Sequence, residues 1–529
     1  MSDMGRIQKF QYARVKSIAL VGIEGEIVDI ECQVSLHIPT FSIVGLPLKA
    51  ARDAKERVLS ALYASGLSFP SRRIVLNLYP SRSWAEDDRS FDLPIAIACL
   101  VAAGELAPEH VLDAVFLGEL SLSGEIKPVR SDMALWSLFK KRAFQKAYIP
   151  LNSAQSLPQG ALGGGFANLR DLITALRNGS NGTLSKSKEL PPDHNKEESL
   201  LWDSIQGHAT TKRLLEVAAA GEHHAFFMGA SGAGKTMIAH TLPSILPPRS
   251  EEEAEESRKI YAVRRLTRPE TRPFRAPHSS LTVGALLGGG AACLPGEMSL
   301  AHTGVLFLDE MLEVRRETLE SLRTVLEQGE VRLSRGQSEA RLPARFNFVG
   351  AANLCPCGTL GNRFGECRCG LERIEAHNEK LSLALLDRID IRWLFTEERS
   401  QKKSPSFDSV KQSVSFARTK MNARQGIPNG RLTGELARKV LPWSSAAIAV
   451  LEHQSKAQKS SYRDLNACSR IALTIADLRG GTEVEALDIK EAMTYRKDPR
   501  EPSRMHRMQI FEARKESKPI ASITPLPGF

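Results

Sequence analysis

With 529 residues and a mass of 58.2 kDa, the chain is too long for one hydrophobic core and has room for about three or four domains. A hydrophobic share of 42% with 25% charged residues is ordinary for a globular protein and excludes a chain that is disordered throughout or fibrous. Lys+Arg 71 against Asp+Glu 61 leaves +10, a mild lean towards a polyanionic partner that a solvated surface explains equally well.

The start of the chain is basic but has neither an apolar h-region nor a small-residue cleavage site, so the expected address is the cytoplasm. The longest apolar stretch, Leu93 to Ala103, contains a proline and falls short of the ~20 residues a membrane span needs. Strand-like runs such as Ile74 to Leu78 alternate here with helical stretches such as Ala50 to Ala64. Residues 178–198 are rich in Gly, Ser and Lys, then contain Pro, with almost nothing apolar to bury, and read as a linker. A longer α/β segment follows to about Phe395. After a polar patch, Thr396 to Asp408, helical periodicity dominates from Ser409 to Tyr495. The remaining tail is basic and poor in apolar residues, and no internal repeat is visible. The expected fold class is α/β multidomain.

The strongest local signal is the run Gly229, Ala230, Ser231, Gly232, Ala233, Gly234, Lys235, Thr236, which fits G-x-x-x-x-G-K-[ST]. A short apolar run precedes it, Ala225 to Met228, and a helix is predicted from Met237. Glycines let such a loop turn its N–H groups onto nucleotide phosphates; Lys235 adds a point charge, and the Thr236 hydroxyl can ligate Mg²⁺. Downstream, Val305 to Leu308 reads as an apolar strand ending in Asp309 and Glu310, the form of a Walker B. There Asp309 would hold Mg²⁺ through water and Glu310 would polarise the attacking water. The next strand, Phe346 to Ala351, leads to Asn353, whose amide could position that water. Arg388, in Leu385-Leu-Asp-Arg-Ile-Asp390, suits a finger reaching a neighbour's γ-phosphate, a contribution of about 10³–10⁵ in rate; a salt bridge to Asp387 or Asp390 is the alternative. A finger requires an oligomer, because the site is then completed by another subunit.

Eight cysteines in a cytoplasmic chain are thiols or metal ligands rather than a disulfide frame. Four of them crowd together as Cys355 and Cys357, then Cys367 and Cys369, on a Gly-rich loop. Four thiolates can close a tetrahedral Zn²⁺ site, and reduced thiols in a tight loop are the other reading.

Pro273-Phe-Arg-Ala-Pro-His278, Gly288-Gly-Gly290, Pro295-Gly-Glu-Met-Ser-Leu-Ala-His302 and the following VLFLDE resemble the magnesium-chelatase-like branch of AAA+ ATPases. Asn353 followed by Cys355-Pro-Cys-Gly358, and then LLDRID, is similar to the YifB/ComM family of branch-migration helicases linked to natural transformation. Phe41-Ser-Ile-Val-Gly-Leu-Pro47, Arg57-Val58, Phe91-Asp-Leu-Pro-Ile-Ala96, Gly118-Glu-Leu-Ser-Leu-Ser-Gly-Glu125 and Thr474-Ile-Ala-Asp-Leu478 extend the resemblance over nearly the whole chain.

The resemblance implies a Lon-protease-like domain over 1–177 with a ribosomal S5 domain 2-like α+β fold, and the linker 178–198. It then implies a P-loop AAA+ α/β domain over 199–400 with a Cys-rich loop 355–369 and a helical lid domain over 405–496; the basic tail 497–529 lies outside the resemblance. It further implies ATP and Mg²⁺ as cofactors, a hexameric ring around single-stranded or branched DNA, and recombination proteins as partners, with no membrane. By the same resemblance Asn353 is sensor 1, Arg388 the finger, Arg463 the sensor 2 residue lying over the nucleotide from the lid, and Gln206 with Gly207 the adenine-side box. The residues 330–345 read as a hairpin between the Walker B helix and the sensor 1 strand, of the kind that projects into the pore of such motors. Arg332, Arg335 and Arg341 on it are candidate phosphate contacts, and a solvated hairpin is the alternative.

The sequence departs from the family's pattern in places. The P-loop starts Gly229-Ala-Ser-Gly232 rather than Gly-Pro-Pro-Gly, and Ala467 and Leu473 stand where relatives carry arginines. A Lon-type peptidase needs a serine activated by a lysine. Ser90 falls near the nucleophile position, but Met133 falls at the lysine position and its thioether cannot take a proton. The domain is therefore expected to be non-proteolytic. The competing functions are a chelatase-like ATPase that remodels a protein partner and an assembly factor with a decayed motor. Retention of Lys235, Asp309, Glu310, Asn353 and Arg388 together argues against decay.

Overall fold

The computed structural model describes residues 11–500 apart from 22, 68–71, 81–88, 157–159, 181–201, 203–204, 206–207, 265, 267–268, 291–292, 336–337, 363–366, 396–404 and 458–460. The chain folds as an N-terminal mixed-sheet domain, a parallel-sheet core and a C-terminal helical region.

In the N-terminal domain the long strands Gln11–Val21 and Glu24–Ser35 pair antiparallel, with Val15 opposite Ile30. Alternate residues of the second strand, Val28, Ile30, Cys32 and Val34, point into the core, as a period of two requires. Arg73–Tyr79 joins antiparallel on one side and the edge strand Thr40–Val44 pairs parallel with it. Three short parallel strands, Ala114–Phe116, Lys146–Pro150 and Leu162–Phe166, complete the seven-stranded sheet on the other side. The apolar stretch after Phe91 is the helix Asp92–Ala102, every residue of which is buried. Pro94 sits in its first turn, where a missing N–H costs nothing. Asp92 accepts from Arg57 Nε at 2.6 Å and Nη2 at 2.9 Å, and from the Leu120 N–H at 3.3 Å. Three of the family-like segments, those around Arg57, Asp92 and Leu120, are thus joined by one buried carboxylate. The helix Leu169–Asn178 closes the domain, capped by Asn168 and by Gly179 at φ 66°, so it runs one residue into the segment expected as linker.

The central sheet is wholly parallel, in the order Phe274–Arg275, Val305–Leu308, Asn347–Asn353, Ala225–Gly229, Ile391–Phe395. Its inner strands are continuous apolar runs, as burial on both faces demands. Parallel register sets Gly229 beside Asn353 and Leu308 beside Gly350. The P-loop, the Walker B carboxylates and Asn353 therefore emerge at one edge, where open α/β sheets place their ligands. Ile23 from the N-terminal domain packs into the core on one face of this sheet, and Lys259 lies 3.8 Å from Glu24.

The helical region comprises Phe407–Gln425, Gly434–Ala437, Ser445–Ala457, Tyr462–Arg479 and Ala486–Thr494. It shares one apolar core with the helix Ala209–Gly221 and the other face of the sheet, with Leu214, Phe227, Val414 and Ile471 all fully buried. Arg418 from this region donates to Ala219 O and Ala220 O, which satisfies carbonyls left open at the end of Ala209–Gly221. Arg496 donates to Ile389 O and Asp390 O, and Arg500 is buried with both guanidinium arms on Asp498. Of the expected tail 497–529, the residues as far as Arg500 are therefore part of the fold, because Arg500 is buried and its Nη1 donates to Leu381 O at 3.3 Å. Residues 501–529 lie outside the described residues.

Candidate nucleotide site and its surroundings

The P-loop follows directly from the strand Ala225–Gly229, and Gly232 and Gly234 take φ 81° and 84°, a left-handed backbone that glycine adopts without strain. Helix Lys235–Ile245 begins at once, so its free N–H groups face the loop. Lys235 Nζ donates to Gly229 O at 3.0 Å, Ala230 O at 2.7 Å and Asn353 Oδ1 at 3.1 Å. Burial lowers its pKa to about 8, with the Asp309 charge acting the other way. Thr236 Oγ1 donates to Asp309 Oδ2 at 2.7 Å. Two oxygens converge there, the donor type that a hard cation such as Mg²⁺ takes. Glu310 is exposed and holds φ 48°, a strained setting for a residue with a side chain, and its N–H is tied to Asp309 Oδ1 at 2.9 Å. The site thus assembles a phosphate cradle, a hydroxyl–carboxylate pair suited to a cation, an exposed carboxylate and an amide.

The cysteine loop leaves Asn353 and touches the cradle. Sγ of Cys355 lies 3.3 Å from Cys357 and 3.6 Å from Cys367, and Cys357 lies 3.8 Å from Cys367. With Cys369, all four sulfurs fall within 4.8 Å of one another, and none is in a disulfide. Burial raises the Cys355 thiol, whereas Cys357, held by Thr359 Oγ1, is lowered to about 6 despite some burial. Arg363, expected to add charge here, lies outside the described residues.

Arg388 meets neither carboxylate of its own motif. Its Nε and Nη2 reach Glu327 Oε2 at 3.1 and 2.8 Å and its Nη1 reaches Ala384 O at 2.7 Å. Asp390 is claimed instead by Arg470 and by His223 Nδ1 at 2.8 Å, and Asp387 lies between Arg392 and Arg463 at 3.5 Å each. Arg463 is exposed and lines, with Arg388, Arg345, Arg431 and Arg470, a cavity of about 490 Å³ to which none of residues 229–236 contributes. The structure thus places Arg463 beside the finger candidate at one cavity. The helix Tyr462–Arg479 enters at the Asp387 turn, and Arg470 anchors it to Asp390. Gln206 and Gly207 lie outside the described residues.

The hairpin is present as Glu330–Arg335 and Ser338–Pro343, its second strand starting earlier than Arg341 and stopping before Arg345. Arg332 and Arg341 are register partners, so both lie on one exposed face, with Val331 and Leu342 buried on the other. Each has a carboxylate near, Glu330 Oε1 at 2.6 Å for Arg332 and Glu339 at 3.8 Å for Arg341. Arg335 ends the first strand, and its side chain lies outside the described residues. In the N-terminal domain Ser90 is buried and accepts from Ser131 Oγ at 2.9 Å. Buried Asp132, which burial raises to about 7, holds Ser153. The side chain of Met133 lies outside the described residues.

Several working residues carry no sequence signal. Glu327 is one exposed glutamate in a helix, while His377, Arg470 and His223 act across 24, 80 and 167 residues of chain. Gly358 alone could have been suspected, as the residue that turns the first cysteine pair.

Comparison with known proteins covers the whole architecture. Residues 202–403 match the profile of magnesium chelatase subunit ChlI, 30–153 match the ChlI subunit of Mg-chelatase, and 404–496 match the ChlI C-terminal profile. An uncharacterized protein of Mycobacterium tuberculosis is 35% identical over 506 residues, 91% of this chain and 98% of the relative. The competence protein ComM of Haemophilus influenzae is 32% identical over 497 residues, 92% of this chain and 97% of the relative. The uncharacterized protein YifB of Escherichia coli is 32% identical over 494 residues, 91% of this chain and 96% of the relative. No helix among the described residues is long and apolar enough to cross a membrane. Coverage of this extent, on a sheet edge that gathers a P-loop, an Asp-Glu pair and an asparagine, places the chain in the YifB/ComM family of chelatase-like ATPases.

Proposed function

We propose that this chain is an ATP-driven DNA translocase that assembles as a ring, most simply a hexamer, and moves branched or single-stranded DNA during recombination or DNA uptake. The observation that carries the motor is the convergence of Lys235, Thr236, Asp309 and Asn353 through contacts of 2.7–3.1 Å. A triphosphate oxygen is a better partner for Lys235 than the neutral carbonyls and amide that hold it. Thr236 and, through water, Asp309 would hold Mg²⁺, which would supply charge neutralisation at the phosphates. Glu310 takes the proton of the attacking water, and Asn353 orients that water beside Lys235.

In this reading Arg388 and Arg463 act together on the nucleotide of the next subunit. Each is parked on a carboxylate, Glu327 or Asp387, at the rim of one cavity. Arg332 and Arg341, sharing the exposed face of the hairpin, meet DNA phosphates; the N-terminal domain, taken as Lon-like and non-proteolytic, serves assembly or DNA contact. The similarity to the competence protein ComM of Haemophilus influenzae supports a role in DNA uptake.

Steady-state ATP hydrolysis with and without single-stranded and branched DNA, beside Lys235→Ala, tests this. Stimulation by DNA that salt weakens and the mutant lacks is the expected result. Hydrolysis indifferent to every DNA would select the other function the chelatase profile allows, remodelling of a protein partner.

A further inference from the structure

We propose that the four cysteines bind one Zn²⁺ and that this metal sets the shape of the P-loop, so that zinc occupancy governs nucleotide affinity. The inference rests on the reading of Gly229–Thr236 as the nucleotide site and goes beyond it.

The sulfur geometry is the first support. A tetrahedral zinc with Zn–S of about 2.3 Å spaces its sulfurs about 3.8 Å apart. The separations of 3.3, 3.6 and 3.8 Å, with Cys369 inside the same 4.8 Å cluster, match that spacing and not a disulfide. Cys357, Cys367 and Cys369 are only partly covered or exposed, so an ion can reach them.

The second support is what the loop touches. The Ser231 N–H, inside the P-loop, donates to Gly358 O at 3.0 Å. Gly358 holds φ 76°, and a Cβ there would lie 3.2 Å from Ser231 Cβ and 3.6 Å from Asn353 Nδ2. One glycine, next to a zinc-ligand candidate, therefore packs against both the phosphate loop and the amide that holds Lys235. From the far side, the helix Leu371–Glu379 starts two residues after Cys369 and sends His377 Nε2 back to Asn353 O at 3.1 Å. The loop leaves Asn353 and returns to Asn353, and the sulfurs are where its two ends are pinned.

Zinc binds the four groups as thiolates and releases their protons, with no oxidation involved. Pinning Cys355, Cys357, Cys367 and Cys369 fixes the Gly358 carbonyl that orients Ser231. Leu354, Cys355 and Leu360 anchor the start of the loop in the core; without the ion, bringing the second cysteine pair onto the first is entropically unfavourable, and Gly358 loses its fixed position. By linkage, whatever orders the P-loop tightens nucleotide binding, and bound nucleotide in turn tightens zinc.

The full chain, purified under reducing conditions, is assayed for zinc by elemental mass spectrometry and for affinity with a fluorescent ATP analogue in excess Mg²⁺. The expected result is about one zinc per chain. Removal by a zinc-selective chelator should weaken nucleotide binding about tenfold, reversed by adding zinc and not by more Mg²⁺. Cys357→Ser with Cys369→Ser should lose both zinc and affinity. Gly358→Ala should keep zinc yet bind nucleotide more weakly, which separates loop position from general unfolding. A chain without zinc that binds nucleotide normally overturns the site, and zinc loss that leaves affinity unchanged overturns the coupling. A zinc-loaded wild-type chain that binds no nucleotide overturns the nucleotide reading beneath both.

Discussion

Lys235 is the residue on which most of the chemistry turns, and its surroundings make its charge conditional. Burial draws its pKa down to about 8, so at neutral pH the ammonium persists but not by a wide margin. Phosphate favours the charged form and raises the pKa again, so binding above pH 8 takes up a proton. Nucleotide affinity should therefore be flat below about pH 7.5 and fall as pH rises through 8, approaching tenfold per unit at most. Titration calorimetry across pH 6.5–9.5 checks this, and Lys235→Arg should flatten whatever binding it retains, because guanidinium stays charged. The P-loop was legible because its information is contiguous: glycines at fixed offsets, a lysine, and a strand before and helix after. Glu327, which holds Arg388, was not, because a lone exposed glutamate looks the same whether it meets water or an arginine 61 residues away.

At the scale of elements, the union of helical region and core depends on charges buried at one seam. Glu222 is pushed up by burial, but Arg418 and Arg431 overcome this and hold it at about 2. Asp390 is likewise penalised by burial and still held far below the usual carboxylate range by Arg470 and His223. Both carboxylates are depressed in the fold, so their stabilisation is complete above about pH 4–5 and is lost as pH falls below that. Asp390→Asn leaves Arg470 buried without its charge partner and should cost about 3–5 kcal/mol, read as an earlier unfolding transition of core and helical region by denaturant or heat. That residues from Ser409 to Tyr495 are helical was legible from their periodicity, whereas the individual helices and their caps were not placed. Their docking was hidden, since Thr474 and Asp477 find His223, Arg424 and Asn429 only when distant segments meet.

The hairpin belongs to the same scale. Residues three apart on a strand point to opposite faces, which by itself would let only one of Arg332 and Arg335 face a ligand. The register instead pairs Arg332 with Arg341 across the strands, a partnership no single-strand offset reveals. Arg332→Ala and Arg341→Ala should each weaken DNA-stimulated hydrolysis while sparing the DNA-free rate. Each should also reduce the slope of log affinity against log salt by about 0.7–0.9. An unchanged slope would leave the hairpin as a solvated element.

At the scale of the whole molecule, the three-part plan could be read from composition shifts, the polar linker and the change of hydrophobic period. The packing of Ile23 from the N-terminal domain into the core could not, because one apolar residue in the turn between two strands gives no direction. None of residues 229–236 lines the cavity that holds Arg388 and Arg463, so in the proposed ring a complete site would draw on two subunits. Mixing Lys235→Ala with Arg388→Ala chains, each inactive alone, should restore part of the hydrolysis at interfaces that pair an intact P-loop with an intact finger. The rate per chain should also rise with concentration until rings are filled.

Transport along DNA is the central claim, and the direct measurement is movement of a branch point on a synthetic joint molecule with Mg²⁺ and ATP. Movement that requires hydrolysis, disappears with Glu310→Gln and declines as salt rises is the expected result. Vigorous ATP turnover by the assembled chain with the branch point left where it began would contradict it.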